Sequence, residues 1–263
     1  MHYKDKVVWI TGASSGIGEA VAYAFAKEGA QLILSARRMQ ELERVRGSCE
    51  HPDRVTLIPL DISEYKKTEA AVKAMLEKTG RIDMLFNNAG ISQRSFAKDT
   101  SLDVYEKLMN INFMGTVAMT KAVLPFMLKQ QSGHIAVVTS LTGKFSTPLR
   151  TGYAASKHAL HGFFDGLRAE VWKENIKVTI ICPGFVKTSV SVNALLGDGT
   201  AQNKMDASIE QGMEPAYVAE KILQGLKQGK EELCIAKKEI VGVYLKRFLP
   251  GIFSKYIRSA RVT

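Results

Sequence analysis

Short apolar runs punctuate the chain at Val7–Ile10, Leu32–Leu34, Val55–Leu60, Met84–Phe86, Ile135–Val138 and Val178–Ile181, and they are rich in β-branched residues. Runs that stay apolar without alternating suit strands buried on both faces of a parallel sheet. The stretches between them carry helical patterning, as in the Ala-rich segment from Glu19 to Lys27. Strand alternating with helix gives right-handed crossovers, so the pattern predicts an α/β, doubly wound, mostly parallel sheet with ligands at the carboxyl ends of its strands. A short seventh strand is expected near Glu232–Ala236. No internal repeat, low-complexity tract or Pro/Gly/Ser-rich linker divides the 263 residues, and 46% hydrophobic content suffices for one core. We expect a single domain over 1–263.

The first strand runs into Thr11-Gly12-Ala13-Ser14-Ser15-Gly16-Ile17-Gly18 and then into the Ala-rich helix. Glycines let the backbone approach a ligand closely, and the free N–H groups and dipole at a helix start attract phosphate. A dinucleotide pyrophosphate is the natural guest. After the second strand, where NAD-binding proteins place an acid against the adenosine ribose, the chain reads Ser35-Ala36-Arg37-Arg38. Two guanidiniums at that position suit a ribose 2′-phosphate and favour NADP(H) over NAD.

Tyr153 and Lys157 stand four residues apart, on one face of a helix. An ammonium beside a phenol stabilises the phenolate and lowers a pKa that is ordinarily about 10, which would make the tyrosine a usable acid-base group. Ser140, thirteen positions before Tyr153, is a strand-end hydroxyl that either caps local backbone or, in register with Tyr153 and Lys157, gives a reacting carbonyl oxygen a second hydrogen bond. Together these residues predict carbonyl reduction or alcohol oxidation, with Tyr153 as general acid or base.

At this level the chain resembles the short-chain dehydrogenase/reductase family over nearly its whole length. The glycine segment matches the family's T-G-x-x-x-G-x-G, Asn87-Asn88-Ala89-Gly90 matches its N-N-A-G, and Ser140, Tyr153 and Lys157 fall in its catalytic order. The resemblance implies a Rossmann fold and a homodimer or homotetramer formed through the helices around Phe113–Met127 and Tyr153–Trp172. It also implies a catalytic Asn112 that interrupts its helix and holds a water joining Lys157 to solvent. It assigns cofactor contacts to Gly12, Ser14, Ser15, Gly16, Ile17 and Gly18, to Asp61 and Ile62, to Asn88, Ala89 and Gly90, to Tyr153 and Lys157, and to Pro183, Gly184, Val186 and Thr188, beside Arg37 and Arg38. Ser191-Val192-Asn193-Ala194, Met205-Asp206, Gln211-Gly212 and the segment Val243-Tyr244-Leu245 through Leu249-Pro250-Gly251 look like the branch containing dehydrogenase/reductase members seven and seven-B. An epimerase or dehydratase of the extended relatives shares Tyr-x-x-x-Lys, but the length and the N-N-A-G segment favour the simpler reductase.

Residues of about 185–213, with Gly197-Asp198-Gly199-Thr200, read as a mobile lid over the substrate. Leu141, Phe145, Leu149, Phe185, Val190, Leu195 and Leu196 suit a hydrophobic ketone, aldehyde, steroid or lipid-like substrate. Arg94, Lys144 and Arg150 would greet a carboxylate instead, a reading ranked second because charged side chains are ordinarily exposed.

The formal charge of +10 does not by itself indicate nucleic acid, because much of it is terminal. From Gly242 onward stand Lys246, Arg247, Lys255, Arg258 and Arg261 with no acid, interleaved with apolar residues. This basic amphipathic segment, about 238–263, either packs on the pocket or a neighbouring subunit, or lies on an anionic membrane surface. Cys49, Cys182 and Cys234 form neither an even disulfide set nor a metal-ligand spacing, which suits a reducing cytoplasm, and Cys182 reads as a small buried filler. His158 and His161 read as packing or interface residues, no metal site is expected, and no 20-residue apolar span is seen. The competing class is a catalytically silent nucleotide sensor or membrane-surface interaction protein, which has no need to keep Asn112, Ser140, Tyr153 and Lys157 together.

Overall fold

The computed structural model describes residues 2–260; Arg261 of the predicted basic tail lies outside the described residues. Seven strands, β1 (Val7–Thr11), β2 (Gln31–Ala36), β3 (Val55–Pro59), β4 (Met84–Asn87), β5 (Gly133–Val138), β6 (Ile176–Pro183) and β7 (Glu232–Ile235), pair in the order β3-β2-β1-β4-β5-β6-β7. Every pair is parallel. The order reverses between β1 and β4, where connections leave for opposite faces and a crevice opens at the strand ends.

Adjacent residues of β1 serve opposite sides of the sheet. Val8 and Ile10 join Phe25, Leu34 and Phe86 in one core, while Val7 and Trp9 join Leu85, Ile135 and Phe164 in the other. This double burial explains why the strands show no polar alternation. The first core is closed by α1 (Gly16–Lys27), α2 (Met39–Gly47) and α8 (Pro215–Lys227). The second is closed by α3 (Tyr65–Thr79), α5 (Thr116–Gln130) and α6 (Thr151–Val171). Between α4 (Leu102–Met109) and α5 the helix widens into a π-turn at Asn110–Gly115.

Unlike the sequence reading, which sees no long apolar span, the fold joins Leu102–Gln130 into one helical run apolar enough by composition to cross a membrane. Val104, Leu108, Met119, Val123 and Met127 of that run are buried in the protein's own interior. Its hydropathy therefore has a use in packing. Three backbone hydrogen bonds join the segment read as a lid to the neighbouring loop. Arg94 N donates to Leu195 O (2.8 Å), Leu195 N to Ser92 O (2.9 Å), and Ser101 N to Gly197 O (2.9 Å), which ties Leu195 and Gly197 to residues 92–101. A short helix, α7 (Ala207–Glu210), follows, and α9 (Val241–Phe248) and α10 (Pro250–Arg258) end the described chain.

Candidate active site

A cleft of about 590 Å³ lies along the strand ends. Its floor begins with the glycine turn. Gly12 has φ +65°, and a Cβ there would lie 2.8 Å from Ala89 Cα. On Gly18 a Cβ would lie 2.3 Å from Gly12 O, so a side chain at either position would force the turn apart. Asn88 clamps the turn from the β4 side, its Nδ2 donating to Thr11 O (3.2 Å) and Gly12 O (3.1 Å), while its N–H donates to Thr11 Oγ1 (3.0 Å). Ser15, the N-cap of α1, makes no side-chain cap. The first N–H groups of that helix are thus left for a phosphate, and the close approach of turn and strand fits a dinucleotide.

Gly12, Ser14, Ser15, Gly16, Ile17, Arg37, Arg38, Asp61, Ile62, Asn88, Ala89, Gly90, Ser140, Tyr153, Lys157, Pro183, Gly184, Val186 and Thr188 all line this cleft. Gly18 and Asn112, both expected at the site, do not line it. Gly18 is used up in packing against Gly12 O, and Asn112, fully buried, stands behind the cleft wall. Its side chain brackets Ile91, accepting from Ile91 N (2.8 Å) and donating to Ile91 O (2.9 Å), and it donates to Ser156 Oγ (2.9 Å). Arg37 and Arg38 are exposed at the rim, Arg38 as the N-cap of α2. Burial opposes ionisation of Asp61, but hydrogen bonds from Ser63 together with the positive charges of Arg37 and Lys67 hold the carboxyl below its ordinary range.

Ser140 caps the turn Leu141–Gly143 after β5. Its Oγ accepts from Thr142 N (3.1 Å) and Thr142 Oγ1 (3.0 Å), which leaves its own proton to donate elsewhere. Lys157 Nζ donates to Val138 O (2.9 Å), 5.8 Å from the centroid of the Tyr153 ring, and burial pulls its pKa down to about 8. The sequence reading gives Lys157 the task of acidifying Tyr153. In the structure burial pushes the phenol up, and Arg150, then a hydrogen bond with Ser140, then Arg94 pull it back. The lysine has spent a donor on Val138 O and is itself desolvated, so the guanidiniums are the charges that counter burial.

Those guanidiniums overturn the expectation that Arg94 and Arg150 are exposed: they retain 5% and 6% of their accessible surface and both line the cleft. Asp206, also buried, accepts from Arg94 Nε (2.7 Å) and Nη2 (2.5 Å) and lies 3.6 Å from Arg150 Nη2. Lys144 behaves differently, pairing with Glu232 away from the lining. Of the apolar candidates, Leu141, Phe145, Phe185, Val190 and Leu195 line the cleft, and Leu149 and Leu196 do not.

The cysteines also meet where spacing shows nothing. Register pairs Cys182 with Cys234, and ligand-capable atoms of His161, Cys182 and Glu232 come within 4.8 Å of one another. Hydrogen bonding to Cys234 and burial push the Cys182 thiol up, as suits a packed and unreactive group.

A family model described as short chain dehydrogenase matches residues 6–197. Dehydrogenase/reductase SDR family member 7 of Homo sapiens is 44% identical over 254 residues, 94% of this chain and 75% of the relative. The family protein 7-like of Anopheles gambiae is 42% identical over 261 residues, 96% of this chain and 82% of the relative. Among solved structures, an alcohol dehydrogenase from Thermococcus sibiricus complexed with 5-hydroxy-NADP is similar with a TM-score of 0.75 and 26% identity, covering 89% of this chain and 96% of that one.

Proposed function

Because this chain belongs to the short-chain dehydrogenase/reductase family, in the branch of members 7 and 7B, we propose that it reduces a carbonyl to an alcohol with NADPH, Tyr153 being the acid. The observation that carries this reading is the shared cleft: Ser140, Tyr153 and Lys157 line the same space as the uncapped start of α1 and the Arg37–Arg38 pair. The α1 N–H groups would hold the pyrophosphate, and Arg37 and Arg38 would hold the 2′-phosphate. Asp61, Asn88–Gly90, Pro183–Val186 and Thr188 line the rest of the cleft and would flank the remainder of the dinucleotide.

When bound, the reduced nicotinamide supplies a hydride to the carbonyl carbon. Tyr153 gives its phenolic proton to the carbonyl oxygen, and Ser140, whose acceptor sites are filled by Thr142, donates a hydrogen bond to that oxygen as negative charge grows. The phenolate recovers its proton from Lys157, whose pKa near 8 suits transfer at neutral pH, and solvent restores the lysine. Asn112 fixes Ile91 and Ser156, and Ser156 Oγ donates to Tyr153 O (2.7 Å), so this asparagine positions the helix that carries the acid. Phe145, Phe185, Val190 and Leu195 favour a substrate with hydrophobic bulk. The test is isotopic. Transfer of deuterium from 4-deuterated NADPH to the carbinol carbon of a hydrophobic ketone supports the reductase, and NADPH binding without transfer to any ketone or aldehyde supports the nucleotide-sensor alternative.

A second reading concerns the tail. Tyr244 and Phe248 on α9, and Leu249, Ile252 and Tyr256 on and just before α10, are exposed at helical spacing, while Phe253 anchors the segment inward. Lys246, Arg247, Lys255 and Arg258 flank this stripe, and an anionic phospholipid surface complements both its charge and its apolar character. Salt-sensitive retention on phosphatidylserine vesicles, lost in Phe248→Glu/Ile252→Glu, supports the membrane role. Vesicle-independent self-association lost in the same variant would assign the stripe to the homodimer or homotetramer contact instead. The thiols of Cys49, Cys182 and Cys234 are free, which suits a reducing cytoplasmic compartment.

A further inference from the structure

The helix that carries the acid is capped from elsewhere in the chain. The first N–H groups of an α-helix have no partner inside it, and a side-chain oxygen at the N-cap ordinarily accepts from them. At α6 the N-cap position holds Arg150, whose guanidinium has donors only and makes no such cap. Ala154 N closes the first turn on Arg150 O (2.8 Å). The N–H groups of Gly152 and Tyr153 both donate to one atom, Gln93 Oε1, at 2.8 and 3.2 Å. The cap therefore comes from 59 and 60 positions away, and one of its two bonds holds the backbone of the acid itself.

Gln93 is fully buried, and both ends of its amide are matched. Its Nε2 donates to Ser95 Oγ (3.2 Å) and Thr100 Oγ1 (3.3 Å). Thr100 Oγ1 gives its own hydrogen to Phe96 O (2.7 Å), so between the two hydroxyls, 2.7 Å apart, Ser95 is the donor and both oxygens can accept from the amide. Two N–H donors on one side and two accepting hydroxyls on the other fix which way the amide points. A buried network matched in this way specifies one geometry. The backbone on either side of Gln93 bridges Leu195, through Arg94 N to Leu195 O (2.8 Å) and Leu195 N to Ser92 O (2.9 Å). Leu195 lines the cleft and Gln93 does not.

We propose that Gln93 is a positioning residue for the reduction: by capping α6 from behind the cleft wall, it sets the place of Tyr153 relative to Leu195 and so to the carbonyl oxygen of the substrate. This deepens the reductase reading and rests on it for the reaction, though not for the cap. A misplacement of about 1 Å at a reacting group costs on the order of 100-fold in rate, and loss of the cap frees the turn that carries the phenol.

Two measurements test the role. In the unsubstituted protein, hydrogen exchange resolved by NMR should show the Gly152 and Tyr153 amides exchanging roughly 100-fold or more slowly than exposed loop amides. Loop-like rates at both would overturn the cap whatever the protein turns over. In the second, Gln93→Leu, which removes the acceptor at similar size, should lower kcat for a hydrophobic ketone by about tenfold or more, with KM and the Kd for NADPH held within about threefold. Gln93→Glu keeps an oxygen for both N–H groups and adds a charge that a helix start favours, so it should recover most of kcat. Equal losses in the two variants, or a kcat in Gln93→Leu close to that of the unsubstituted enzyme, would overturn the positioning role. Ser95→Ala/Thr100→Val strips the amide of its two acceptors and leaves α6 untouched. It should lower kcat with KM steady, and an unchanged kcat there would overturn the role even if Gln93→Leu does not fold. Slow exchange of both amides without turnover of any ketone or aldehyde would keep the cap and count against the reductase.

Discussion

Removing the Asn112 side chain as Asn112→Ala tests whether the π-turn holds the catalytic helix in place. The amide makes three hydrogen bonds in a fully buried setting, two of them to the N–H and C=O of Ile91. Ser156 Oγ keeps its bond to Tyr153 O, so it loses only an acceptor role, whereas Ile91 is left with two unpaired backbone groups. At about 1–3 kcal/mol for each orphaned group, and with a water filling part of the gap, the loss should be about 2–4 kcal/mol. For a chain of this size that corresponds to a fall in Tm of roughly 5–10 °C. Thermal unfolding followed by circular dichroism gives the first number, and NADPH oxidation with a ketone substrate gives the second. Turnover should fall at least tenfold, since Ile91 and the Tyr153 helix lose their common tie. An unchanged Tm together with full turnover would refute the bracketing role.

Two further outcomes are expected. Replacing Arg37 and Arg38 with Ala should raise the Kd for NADPH at least tenfold while barely moving that for NADH, by loss of charge-assisted phosphate bonds; fluorescence titration with each cofactor checks this, and equal losses contradict the NADP assignment. Burial holds His134 and His161 neutral, with pKa values near 4 against an unfolded value near 6.5. The unfolded state therefore binds more protons between pH 6.5 and 4, so stability falls as pH drops through that window, by up to about 3 kcal/mol for each histidine. In His134→Gln, which retains a partner for Thr179 Oγ1 without titrating, the acid side of the Tm–pH curve should be shallower; an identical slope would exclude His134 as a contributor.

What was legible in the chain follows from the range of the interactions involved. Double burial of each strand leaves its mark in consecutive residues, and the seven runs read from the sequence match the seven strands in order. The glycine turn and the Tyr153–Lys157 spacing are equally local. The Arg94–Asp206 pair, by contrast, spans 112 positions, and nothing near either residue says that its charge is buried. The same distance hides the meeting of His161, Cys182 and Glu232 on three separate elements. Gly18 and Asn112 show a subtler limit: the family motif names the residues, but only the coordinates show that they support the cleft from outside it. The lid reading followed the glycine-rich sequence of 197–200, whereas the bonds that Leu195 and Gly197 make with Ser92, Arg94 and Ser101, about a hundred residues earlier, leave no local trace in the sequence.

The most direct test of the central claim is NADPH-dependent reduction of hydrophobic ketones and oxo acids by the purified protein beside Tyr153→Phe. The account predicts turnover that falls at least 100-fold in the variant while its NADPH affinity is nearly unchanged. Turnover retained within a few-fold by Tyr153→Phe would contradict it, because the proton would then come from another group.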